Sequence, residues 1–103
     1  MYKLCFYVPI EHSDVVKKAV FEAGAGRLGN YEHCAWETTG NGQFKPCSGS
    51  TPFIGNEGEL EVVPEMKVEM LCSEEFIEAA VNRLKQAHPY EEPAYDVVKL
   101  EQF

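Results

Sequence analysis

Near its C-terminal end the sequence reads "HPYEEPAYDV", which sets His88, Glu91 and Glu92 among Pro89 and Pro93. Imidazole and carboxylate together could ligate zinc or a similar divalent ion. Two prolines also stiffen the backbone that carries these groups, as a binding loop requires. Adjacent side chains such as Glu91 and Glu92 diverge, so a complete metal site needs a further ligand. His33 is the candidate, giving His33, His88 and Glu91 as a metal set. The same residues also have a reading that needs no ligand. Pro89 pushes His88 out of helical geometry and so ends a helix. An imidazole there suits the helix dipole and can bond the last carbonyls. Pro93 makes Glu92 extended and starts a strand. His12 precedes a helix and is expected to be solvated.

The elements that would position these groups can be read from periodicity. In "YKLCFYV", Leu4, Phe6 and Val8 share one face and Lys3, Cys5 and Tyr7 the other, which predicts a strand ended by Pro9. Ser13 is expected as an N-cap, followed by Val16, Ala19, Val20 and Ala23 at helical spacing and by Gly24 as a stop. "NYEHCAWETT" is rich in aromatic and β-forming residues and predicts a second strand. "LEVVPEMKVEMLC" alternates, with Met66, Val68, Met70 and Cys72 inward and Glu65, Lys67 and Glu69 outward. Pro64 marks a bulge or an edge there. Ser73 is expected to cap a second helix carrying Ile77, Ala80, Val81 and Leu84 inward. "AYDVVKL" closes the order βαββαβ. That order predicts an α+β, ferredoxin-like fold: a four-stranded antiparallel sheet with both helices on one face. The two halves echo each other, because Ala23–Tyr31 and Ala87–Tyr95 have the same spacing.

Between the second and third strands the sequence predicts a long loop, residues 40–59, with Phe44, Phe53 and Ile54 as apolar anchors. Its glycines suit positive φ or close backbone approach. "GNG" opens no helix, so a phosphate-cradling P-loop is not supported. The loop could cover a ligand, form a β-hairpin extension that packs on itself or on a neighbouring subunit, or dock on a protein partner.

The 103 residues suit a single domain, 1–103. A net charge of −8 without Lys or Arg clusters disfavours nucleic acid and anionic membrane surfaces. The N-terminus reads as a strand and not as a secretory leader, so a cytoplasmic location is expected. Cys5, Cys34, Cys47 and Cys72 form no CxxC pair, which excludes a zinc ribbon or thioredoxin motif. All four are expected to be reduced, with Cys5, Cys34 and Cys72 buried in strands.

Three blocks, "AGAGRLGNYEHCAWETTGNGQFKP", "TPFIGNEGELEVVPEMKVEM" and "AHPYEEPAYDV", together resemble the insert domain of the Nif-three-like family. That family is also labelled as GTP cyclohydrolase I type 2 homologues. The resemblance covers nearly the whole chain. The insert is similar to PII and CutA proteins, ferredoxin-like folds that assemble as trimers, and PII proteins bind small regulatory ligands. In full-length members the domain interrupts a larger α/β protein that holds two metals. None of that larger part is in these residues, so the hydrolase or cyclohydrolase label does not carry over.

The resemblance implies motif positions at Gly24, Gly26, Gly29, Asn30, Tyr31 and His33. In the loop it implies Gly40, Gly42, Phe44 and Pro46, with Pro52, Gly55, Gly58 and Glu61 beyond. The last block adds His88, Pro89, Tyr90, Glu91, Glu92 and Pro93. The expected function is a non-catalytic homotrimeric module that binds a small ligand or an ion such as zinc. One alternative is a metal-dependent hydrolase-like enzyme using His33, His88 and a Glu. Another is a structural module that docks through residues 40–59. Tyr7, Tyr31 and Tyr95 do not all fit one helix-covered face, which is a further reason to expect self-association.

Overall fold

A computed structural model describes all residues, 1–103. Strand β1 spans Tyr2–Pro9, helix α1 Ser13–Glu22, β2 Trp36–Phe44, β3 Glu61–Cys72, α2 Ile77–Ala87 and β4 Tyr95–Lys99, with a short 3-10 turn at Ile10–His12. The four strands form one antiparallel sheet in the order β2-β3-β1-β4. Both helices join one face of it, as the βαββαβ order predicts.

The alternation in β1 has a direct structural consequence. Leu4, Phe6 and Val8 pair with Met70, Val68 and Met66. This row packs against Val16 and Val20 of α1 and Ala80 and Leu84 of α2 to make the core. Leu84 is fully buried, and truncating such a residue to Ala costs about 2–5 kcal/mol. Tyr7, Cys5 and Lys3 pair with Lys67, Glu69 and Leu71 on the other face, which no helix covers.

The second strand starts later and runs further than the sequence predicts. Residues 30–35 are a turn and its exit instead of a strand. Leu28 and Tyr31 exchange backbone hydrogen bonds of 2.9 and 3.0 Å, and Gly29 and His33 have φ of 56° and 59°. Such left-handed backbone cannot continue a ladder. Cys34 therefore lies outside the sheet and is partly exposed. At the other end, "GNGQF" is strand and not loop: Gly40–Phe44 pair with Glu65–Glu61. The ladder overrides the weak strand preference of glycine. β3 outruns β1, whose last pair is Pro9 with Glu65. The β2–β3 ribbon thus projects past the sheet and lengthens the molecule to 46 Å against 24 Å in the other directions.

The helix starts also differ. Ser13 is the first residue of α1, and its hydroxyl faces Glu37 at 3.4 Å instead of capping. The Ser73 hydroxyl has no partner, and a turn closed by Phe76 N–H to the Ser73 carbonyl, 3.1 Å, precedes α2. α2 does end at His88, whose backbone N–H bonds the Leu84 carbonyl at 2.9 Å before the chain turns extended.

Candidate functional site

His88 is only 5% exposed. Its Nδ1 accepts the Tyr90 backbone N–H at 3.1 Å, so the ring proton sits on Nε2, which donates to the Tyr7 carbonyl at 2.7 Å. Burial pushes its pKa below the ordinary histidine value. Both nitrogens are engaged by backbone, and neither is free for a metal. The imidazole is neutral and bolts the 88–94 turn to β1 instead of bonding the last carbonyls of the helix.

That bolt places Tyr90. Its ring lies 5.0 Å from the His88 ring, 5.7 Å from Phe44 and 6.5 Å from Phe53. Its hydroxyl donates to Glu65 Oε2 at 3.0 Å. Burial and the Glu65 carboxylate push the Tyr90 pKa well above the ordinary phenol range, so the hydroxyl keeps its proton. Glu65 is 9% exposed, unlike the solvated outward carboxylate that alternation predicts. Gly42 makes room for it: a β-carbon there would overlap Oε1. The glycine is needed for close approach, not for its backbone angles.

The loop after β2 closes the remaining side. Pro46 is buried, and Gly58 N–H bonds its carbonyl at 2.8 Å. Glu91 accepts the Thr51 N–H at 2.9 Å and ties this loop to the 88–94 turn. Phe53 meets His12 edge-on at 5.4 Å, so His12 is not simply solvated. Between loop, turn and sheet lies a cavity of about 330 Å³. Its walls include Phe44, Phe53 and Tyr90, and its carboxylates are Glu65, Glu91 and Glu92. Lys45 stands among the lining residues, exposed and in no ion pair.

Of the residues singled out in the sequence, Phe44, Pro46, Pro52, Phe53, Ile54, Tyr90, Glu91 and Glu92 meet at this cavity. Gly42 supports it, Gly40 pairs with Glu65, and His88 and Pro89 hold the turn. Gly24, Gly26, Gly29, Asn30, Tyr31 and His33 are elsewhere. His33 stacks on Phe21 at 4.8 Å, in the last turn of α1. His12, just before the first turn of α1, meets Phe53 of the cavity, so the ten residues of α1, about 15 Å of helix, lie between the two places. The metal set His33, His88 and Glu91 is therefore not assembled, and nowhere do three His, Cys, Asp or Glu side chains converge. These residues do not fit the two-metal centre of the Nif-three-like family. Sequence reasoning missed Glu65, Tyr7 and Lys45. The one available signal was Gly42, whose partner across β3 could not be known.

The four-stranded antiparallel sheet with both helices on one face is an α+β, ferredoxin-like domain. CutA1 from Pyrococcus horikoshii superposes with a TM-score of 0.70 at 19% identity, covering 100% of this chain and 86% of that one. A Bacillus cereus protein related to NIF3 superposes with a TM-score of 0.83 at 38% identity, covering 98% of this chain and 26% of that one. By sequence, the GTP cyclohydrolase 1 type 2 homolog of Mycobacterium leprae is 47% identical over 98 residues. That match takes in 95% of this chain and 26% of its relative. No family model matches the chain. The chain is a homologue of a domain-sized part of the Nif3-like GTP cyclohydrolase 1 type 2 homologues, and it spans about a quarter of their length.

Proposed function

We propose that the chain is a non-catalytic, trimeric binding module that holds a small ligand in the cavity between the long loop and the 88–94 turn. One observation carries this reading. A nearly buried carboxylate, Glu65, is kept at the edge of an aromatic-walled cavity by Tyr90 and by the absence of a side chain at Gly42. A buried carboxylate with one neutral donor is a poor source of stability, which supports recognition as its use. The cavity volume of about 330 Å³ falls in the range of small-molecule sites. A hydrolase reading would call on His88, whose two nitrogens are both occupied by backbone.

The trimer is taken from the resemblance to PII and CutA proteins, and the open sheet face supports it. Trp36 and Val98 lie on that face, 62% and 51% exposed. Leu71 and Trp36 line a shallow hollow there of about 540 Å³. Light scattering at micromolar concentration tests the assembly: the trimer mass is expected, and a monomer mass rejects it. Native mass spectrometry tests the ligand. A bound small molecule that Glu65→Gln loses supports the reading; a bare wild-type protein that also takes up no added small molecule rejects it.

A further inference from the structure

We infer that the cavity takes a small organic cation, an amine or amidinium on an apolar or aromatic body, with its positive group against Glu65. The inference rests on the ligand-binding reading above and names the ligand class. Glu65 is nine-tenths buried and lines the cavity. Oε2 accepts from Tyr90, but Oε1 accepts no hydrogen bond, and no Lys, Arg or His pairs with either oxygen. Ser73 Oγ is the one fully enclosed side-chain oxygen or nitrogen without a partner. Oε1 is therefore not sealed in: it keeps some exposed surface, on a side chain that lines the cavity.

Charge and shape then select among ligands. Three carboxylates against the one exposed ammonium of Lys45 make the site repel anions. A neutral ligand without a donor leaves Oε1 unpaired. A bare divalent ion needs several ligands converging on one point, and Glu65, Glu91 and Glu92 line the cavity without doing so. An organic cation satisfies both parts of the site. Its N–H donors form a charge-assisted bond with Glu65. Its positive charge and apolar body suit the rings of Phe44, Phe53 and Tyr90.

Calorimetry with three matched probes tests this: 2-phenylethylammonium, neutral 2-phenylethanol and anionic 3-phenylpropanoate. On the wild-type protein the ammonium is expected to bind about tenfold tighter than the alcohol, and the propanoate more weakly still. Glu65→Gln, close to isosteric, is expected to erase the preference for the ammonium while the alcohol affinity stays within about twofold. Equal or tighter binding of the alcohol or the propanoate overturns the cation class and leaves the ligand-binding reading standing. No binding of any probe at millimolar concentration overturns both. Wild-type selectivity alone decides the matter if Glu65→Gln fails to fold.

Discussion

The Tyr90 hydroxyl donates to Glu65 across 3.0 Å and joins the 88–94 turn to β3, 25 residues away in sequence. Tyr90 is placed by the neutral His88 beneath it, and Glu65 by the gap at Gly42. Tyr90→Phe should leave the buried carboxylate without its one donor. The expected cost is about 1–3 kcal/mol in denaturant unfolding. An unchanged midpoint would show that water replaces the hydroxyl at no cost.

Gly42→Ala should break the same bond from the other side, because the new β-carbon takes the space of Glu65 Oε1. The loss should be about 1–3 kcal/mol. In the Glu65→Ala background the substitution should cost little, since the obstructing carboxylate is gone. Equal costs in both backgrounds, read as a double-mutant cycle, would place the strain in the backbone and not in the carboxylate.

Stability should depend on pH through His88. Burial lowers its pKa in the folded protein, and protonating Nδ1 would destroy the bond from Tyr90. Above about pH 6.5 the imidazole is neutral in both states, and its contribution is complete. As pH falls further, the unfolded chain takes a proton that the folded one resists. Stability then declines, with a slope of at most about 1.4 kcal/mol per pH unit from this group. His88→Gln should be less stable at pH 7, and its gap from wild type should narrow between pH 6.5 and 5. A constant gap would contradict a neutral buried imidazole.

Thiol labelling should separate two classes of cysteine. Cys5 and Cys72 are buried, and burial pushes both thiols up from their ordinary pKa. Cys47 is exposed and Cys34 half-exposed, off the sheet. At pH 8 a maleimide should modify Cys47 first and Cys34 next, with Cys5 and Cys72 reacting only on unfolding. Native reaction at Cys5 would contradict its place between β1 and its neighbours.

The sheet and helices were legible because β1, β3 and the two helices carry clean apolar periods. β2 starts and ends several residues later than its sequence predicts. Its start depends on the positive φ at His33, a non-glycine that sequence does not flag, and its end runs through glycines that only the β3 ladder holds extended. Half of the candidate site was legible for a simple reason. The stiff turn at Pro89 and Pro93 and the anchor Phe44 are local features, whereas Glu65 becomes a site residue only when the ribbon brings Gly42 and Tyr90 to it. His33 and His88 were grouped by residue type, and α1 keeps them at opposite ends.

The most direct test of the cavity is amide chemical-shift mapping of the labelled protein titrated with 2-phenylethylammonium. The shifts should saturate and should concentrate at residues 43–54, at Glu65 and across the turn 88–94, with Thr51 and Tyr90 among the largest because their N–H groups bond Glu91 and His88. Shifts gathered instead around Gly24, Gly26 and His33, or no saturable shifts at all, would contradict a ligand site at this end of the fold.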